Sequence, residues 1–235
     1  MTIIEIVNDF QKIARSMNVS SSENLSIWQI ASWVNEYRAK LIRQAIDKGD
    51  SIANEWSQDM NCLELELVDR AECPVGISLT SGQKVQRTKM VIPSMINTKS
   101  QDGLIFIGSI EGKPYQYVTD TRARYMRFKK YSGNDKVTYR KGDYIYLTCS
   151  LEQKYLSLSA IFEDPLKLAE YYNTCSNSVC FDPYVTNYPI TLELLPVIKD
   201  MIFKNELGIT LNLPSDKHND DQNILTANEV GGQRK

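Results

Sequence analysis

Residues 63–67, Leu63-Glu64-Leu65-Glu66-Leu67, decide the fold class. Leucine alternates with glutamate, and a strand sends successive side chains to opposite faces. The pentapeptide therefore predicts a half-buried strand, leucines inward and Glu64 and Glu66 in water. Upstream, the apolar spacing is helical instead. Ile3, Ile6, Val7, Phe10, Ile13, Ala14 and Met17 recur at the spacing of one helix face, and Thr2 with Glu5 forms a capping box at its start. A second helix is predicted from Ser26, with Gln29 as its capping partner, to Gly49 as a left-handed C-cap. Its apolar stripe is Ala31, Val34, Leu41 and Ala45 with Trp28 and Tyr37. Arg38, Lys40 and Arg43 are assigned to the opposite, solvated face. Two amphipathic helices with a short connector predict a helical hairpin.

Downstream of the pentapeptide the period stays near two. Strands are predicted at Lys84–Ile92, Leu104–Ile110, Tyr115–Thr119, Lys136–Tyr139, Tyr144–Thr148 and Tyr155–Phe162, and Arg122–Tyr131 fits helix or strand equally. Glu111-Gly112-Lys113-Pro114 and Arg140-Lys141-Gly142-Asp143 read as turns. Residues 60–163 thus predict a meander of short antiparallel strands. Helical signals return with Asp164-Pro165, an N-cap followed by proline, and with Thr191–Leu207, closed by Gly208. The expected organisation is α+β in four parts. Residues 1–59 form the hairpin, 60–163 an antiparallel β-rich insertion, 164–211 the helices completing an adaptor-like helical core, and 212–235 an extended tail.

That tail, NLPSDKHNDDQNILTANEVGGQRK, carries only Leu213, Ile224, Leu225 and Val230 as sizeable apolar side chains. So little apolar surface cannot offset the entropy of ordering the segment. It is expected to take its shape from a partner, with those four residues as anchors.

Composition bounds the remaining choices. The chain has 235 residues, 42% hydrophobic and 24% charged, with a formal net charge of −2. Binding driven by charge must therefore come from local patches. No apolar run reaches the roughly 18–20 residues of a membrane span, and the opening residues lack the pattern of a secretory leader. The five cysteines are odd in number and scattered, which predicts free thiols in a reducing cytosol. Cys175 and Cys180 have no histidine partner at a zinc-binding spacing, so no metal and no cofactor is expected. The single histidine, His218, lies in the polar tail and lacks the rigid shell that catalysis needs. Phosphate-binding and dinucleotide-binding glycine motifs are absent. No catalytic residue is assigned.

One patch stands out. Lys113, Arg122, Arg124, Arg127, Lys129, Lys130, Lys136, Arg140 and Lys141 face only Asp120 and Asp135 in the same span, with Tyr125, Phe128, Tyr131 and Tyr139 interleaved. Basic and aromatic residues together suit a nucleic-acid surface. They also suit an acidic protein partner, or a solvated face.

The order of segments resembles a virion protein of crAss-like bacteriophages. The resemblance is carried by WVNEYRAKLIRQAIDKG (Trp33–Gly49), CLELELVDRAECP (Cys62–Pro74), the Arg87–Pro93 stretch, AIFEDP (Ala160–Pro165), CSNSVC (Cys175–Cys180), YPITLELLPVIKDMIFKNEL (Tyr188–Leu207) and the asparagine-rich tail. It implies a head-to-tail connector: a portal adaptor built as a homo-oligomeric ring of about twelve copies. Its partners would be the portal, the next ring or tail protein, and duplex DNA passing without sequence specificity. The implied location is the virion, after synthesis in the host cytoplasm. Two other readings stay open, a later ring or neck protein of the tail, and a nucleic-acid-binding module using the 113–141 patch.

Overall fold

The structure, a computed structural model, describes residues 1–16, 26–68, 84–97, 103–126, 136–149 and 152–208. Two helices open the chain, α1 (Ile3–Ser16) and α2 (Ile27–Lys48). Both begin as their caps dictate. Thr2 N donates to Glu5 Oε2 at 2.9 Å and Glu5 N to Thr2 Oγ1 at 3.3 Å. Gln29 N donates to Ser26 Oγ at 3.1 Å. Gly49, at φ 91°, ends α2 in the left-handed conformation that L side chains resist.

The strands follow: β1 (Gln58–Leu67), β2 (Lys84–Thr88), β3 (Leu104–Gly108) and β4 (Gln116–Tyr117), then helix α3 (Asp120–Met126). After it come β5 (Val137–Lys141), β6 (Tyr144–Cys149) and β7 (Tyr155–Ala160). A 3₁₀ turn at Pro165–Glu170 is capped by Asp164, whose side chain accepts from Leu166 N. The small hairpin β8 (Tyr172–Asn173) and β9 (Ser178–Val179) precedes α4 (Leu194–Asn205).

Strands β1 to β7 form one sheet in the order β3-β7-β1-β2-β6-β5-β4. Its two edges then meet. The turn after β3 folds back so that Tyr115 N donates to Ile107 O at 2.8 Å and Gly108 bridges Pro114. The sheet is thus nearly closed and barrel-like, which hides edges that would otherwise pair with other chains. Gly108 is required at the seam, because a Cβ there would lie 2.3 Å from Lys113 O.

The strands bury both faces. Along β6, Ile145 and Leu147 join the main core with Met60, Leu63, Ile107, Leu156 and Leu158. The alternate residue Tyr146 packs with Val85, Val137 and Tyr139 beneath Met126 of α3. The β1 pentapeptide follows its prediction at first, since Leu63 is buried and Leu65 half-buried, but Leu67 is exposed. Glu64 and Glu66 pair across the sheet with Lys89 at 3.2 Å and Arg87 at 2.7 Å.

Three expectations need correction. The first is the adaptor-like helical core with the strands as an insertion. Here α1, α2 and α4 do touch one another, with Phe10 stacked on Phe203 at 5.6 Å. They share a single core with the barrel, however, and the β-rich part dominates the body. Amphipathic periodicity shows that a helix has a buried face; it does not say that the face meets other helices. The second is the meander. Pairings β1–β7, β3–β7 and β2–β6 join strands far apart in sequence, and β4–β5 is parallel. The third is the set of free thiols. Cys62 and Cys175 form a disulfide across 113 residues, their Cα atoms 5.8 Å apart. A bulge in β1 puts Cys62 at φ 59° and interrupts the register with β7 between Met60 and Leu63. Cys180 is free and half-buried.

Candidate assembly surfaces

Arg38 organises the side of the molecule where the helices meet the barrel. It sits in the middle of the i, i+4 row Ile30, Val34, Ile42, Ile46 on α2, so the helix carries it inward with those residues. It is fully buried rather than solvated, which corrects its expected placement beside Lys40 and Arg43. The guanidinium donates to three backbone carbonyls: Nε to Pro189 O at 2.5 Å, Nη1 to Phe162 O at 2.9 Å and Nη2 to Trp56 O at 3.0 Å. Its planar fork is suited to several acceptors at once. Burial lowers its pKa, and the neighbourhood of Asp164 opposes that shift.

Next to Arg38 runs a second chain of bonds. Tyr188 Oη donates to Asn35 Oδ1 at 2.5 Å, and Asn35 Nδ2 donates to Asp164 Oδ1 at 2.8 Å. The Arg38 guanidinium lies 5.7 Å from the Tyr188 ring centre. Desolvation pushes the Tyr188 hydroxyl well above the usual tyrosine range. Segments 56, 162 and 188–189 are thereby tied to one helix, and this fixes the walls of a groove beside them.

That groove has a volume of about 660 Å³. Gln58, Val179, Phe181, Ile190 and Leu192 are among its lining residues. Leu192 is 76% exposed, and Val185 on the adjoining turn is 77% exposed. The turn is not loose. Thr186 N donates to Asp182 O at 2.8 Å, Tyr184 N to Asp182 Oδ1 at 2.9 Å and Asp182 N to Thr186 Oγ1 at 3.1 Å. The Cys62–Cys175 disulfide and the bond from Thr174 Oγ1 to Cys62 O at 2.9 Å moor the same region to β1. Gln58 carries a shielded amide whose nitrogen and oxygen both lack a hydrogen-bond partner among the described residues.

The basic patch is only partly described. Arg122 is exposed on α3, and Arg124 pairs with Asp120 at 3.0 Å one turn away. Arg140 Nε donates to Gly142 O at 3.1 Å in the β5–β6 turn, where Lys141 is exposed. A cleft of about 470 Å³ brings Asp120 and Arg140 together, but Glu163 lines it too. Arg127, Lys129 and Lys130 lie outside the described residues, as do Leu213, Ile224, Leu225 and Val230 of the tail. Among the described residues, no group of three or more His, Cys, Asp or Glu is placed to hold a metal ion. No helix among them is long and apolar enough to cross a membrane.

Arg38, Gln58 and the Cys62–Cys175 link were not singled out from sequence. Arg38 had a signal, its place in an apolar i, i+4 row. The other two depend on contacts between distant segments.

A nearly closed barrel braced by helices carries exposed apolar side chains such as Val185 and Leu192, and contiguous apolar surface of this kind can meet other chains. Residues 5–229 match the family described as Phage tail ring protein 2, of crAss-like phages, and the chain belongs to that family. It is therefore a structural protein of a phage tail, assembling as a ring with other tail proteins in the virion. No curated protein matches it.

Proposed function

We propose that copies of this chain form one ring in the coaxial stack joining capsid to tail, that the ring extends the channel for the genome, and that the stack seals around it. The observation that carries this reading is the family match, which spans the helices, the barrel and most of the polar tail. The family's description as a second ring protein favours a ring beyond the first over the adaptor seated directly on the portal. The portal is then a neighbour in the stack, reached through the first ring. Each copy is held by its tail, with Leu213, Ile224, Leu225 and Val230 as anchors, and repetition around the ring makes individually weak contacts act together. About twelve copies would match the symmetry expected of such a stack.

Arg122, Arg124, Arg127, Lys129, Lys130, Arg140 and Lys141 are proposed to face passing DNA or an acidic neighbour. A channel must not grip what it conducts, so the isolated chain should bind duplex DNA weakly. Nanomolar binding that falls steeply with salt and disappears on charge reversal at Arg122 and Arg124 would instead support a nucleic-acid-binding module. The decisive test is an electron cryo-microscopy reconstruction of the virion. A ring of this chain on the tail axis is expected; density on the capsid shell, or none in the particle, would refute the proposal.

A further inference from the structure

We propose that the Cys62–Cys175 disulfide is a latch that closes once particles have left the reducing cytoplasm of the host, and that its closure fixes the β8–β9 hairpin against β1. Only the virion location is needed for this, not the channel. A phage protein is made inside its host cell, where thiols are kept reduced, so the bond does not belong to the compartment in which the chain folds. Folding does not call for it either. Domains that depend on disulfides are those too small for a sufficient core, whereas here one core joins the helices, the barrel and Phe181.

Contacts without sulfur hold the open pair ready. Thr174, beside Cys175, donates from Oγ1 to Cys62 O at 2.9 Å. Strand β8 packs next to β1, and Cys180 N donates to Tyr171 O at 2.8 Å at the base of the hairpin. With two residues in each strand, the hairpin is too short to stand alone, so its position depends on its moorings. Its residues Asn173, Ser178 and Val179 line the same groove as Asp59 and Asn61 of β1. Closing the bond therefore fixes two walls of that groove relative to each other. Cys62 itself sits at φ 59°, a conformation that a non-glycine residue keeps only when its surroundings impose it.

Exposure assigns the order of steps. Cys175 is exposed, whereas Cys62 is 3% exposed. The Cys175 thiolate attacks a small-molecule disulfide, whose S–S bond breaks; a mixed disulfide forms and one small thiolate leaves and takes up a proton. Cys62 then gives up its proton and attacks the Cys175 sulfur, the protein disulfide forms, and the second small thiolate leaves and is protonated. The cysteine pair is oxidised and the small disulfide is reduced to two thiols. Cys180 stays out of the exchange, because burial raises its pKa and keeps it a thiol.

The test reads the thiol state of the unaltered chain. Infected cells and released virions are each quenched in acid, denatured and tagged with a polyethylene-glycol maleimide. The intracellular chain should carry two more tags than the virion chain, and digestion should find the Cys62–Cys175 peptide pair in virions only. A bond already formed in cells, or still open in released virions, would overturn the proposal. Cys175→Ser should enter particles at the parental level, because particles assemble before the latch closes; loss of incorporation would show that the bond is needed earlier, against the proposal. In the purified oxidised chain, a reductant should speed amide hydrogen exchange across residues 172–179 about tenfold or more and leave α2 unchanged. Equal exchange there with and without reductant would show that nothing is latched.

Discussion

Replacing Arg38 should be costly. Arg38→Ala leaves the carbonyls of Pro189, Phe162 and Trp56 without their donor in a fully buried site. Each unpaired group costs about 1–3 kcal/mol, and truncation adds a cavity. Against this stands relief from holding a charge out of water, worth several kcal/mol. The net loss should be about 2–5 kcal/mol, with three unpaired carbonyls and a cavity outweighing the desolvation relief. Domains are stable by only about 5–15 kcal/mol. Urea unfolding followed by far-ultraviolet circular dichroism, and separately by tryptophan fluorescence, to which buried Trp56 contributes, should show a midpoint lower by about 1–2 M, for a slope near 2–3 kcal/mol/M. Arg38→Lys should fall between the two, since an ammonium keeps the charge but cannot present the same planar fork. If Arg38→Met unfolds within about 1 kcal/mol of the parent, the three bonds contribute little net stability and the reasoning fails.

Other positions give sharp expectations. Gly108→Ala should destabilise by about 1–3 kcal/mol, because the added methyl meets the backbone at the seam of the sheet. An unchanged melting temperature would mean that the seam yields freely. Cys175→Ser should remove roughly 4–5 kcal/mol from the oxidised protein, the loop-closure value for so long a loop. Reductant should lower the parent's denaturation midpoint and leave the variant's in place. Tyr188 has its folded pKa raised, so its stabilising contribution is complete below the unfolded value near 10 and declines as pH rises above it. The parent should lose stability above about pH 10, by up to about 1.4 kcal/mol per pH unit from this group. Tyr188→Phe should flatten that decline in pH-dependent melts.

Much of the local structure was legible because its causes are local. The Thr2–Glu5 box, the Ser26 cap, the turns at Gly112 and Gly142, and the Asp164-Pro165 start are each set by a few adjacent residues. The end of α2 followed, where Gly49 supplied a left-handed stop, whereas α4 ends at Asn205, short of the expected close at Gly208. Aromatic bulk misled at Trp28, which was expected in the apolar stripe of α2 and is 62% exposed. The groove was invisible for a different reason. Gln58 and Leu192 are 134 positions apart in the sequence, and no period connects them.

By itself, the amino-acid sequence determined where α1 and α2 begin, where several tight turns fall, and roughly where most of the longer strands lie. Tertiary structure alone decided that the strands close on themselves, that Cys62 meets Cys175, and that a guanidinium goes into the interior. Periodicity records which face of an element avoids water. It carries no information about which distant surface covers that face, and that choice is made by packing and by hydrogen bonds such as those of Arg38, formed only once the chain has folded.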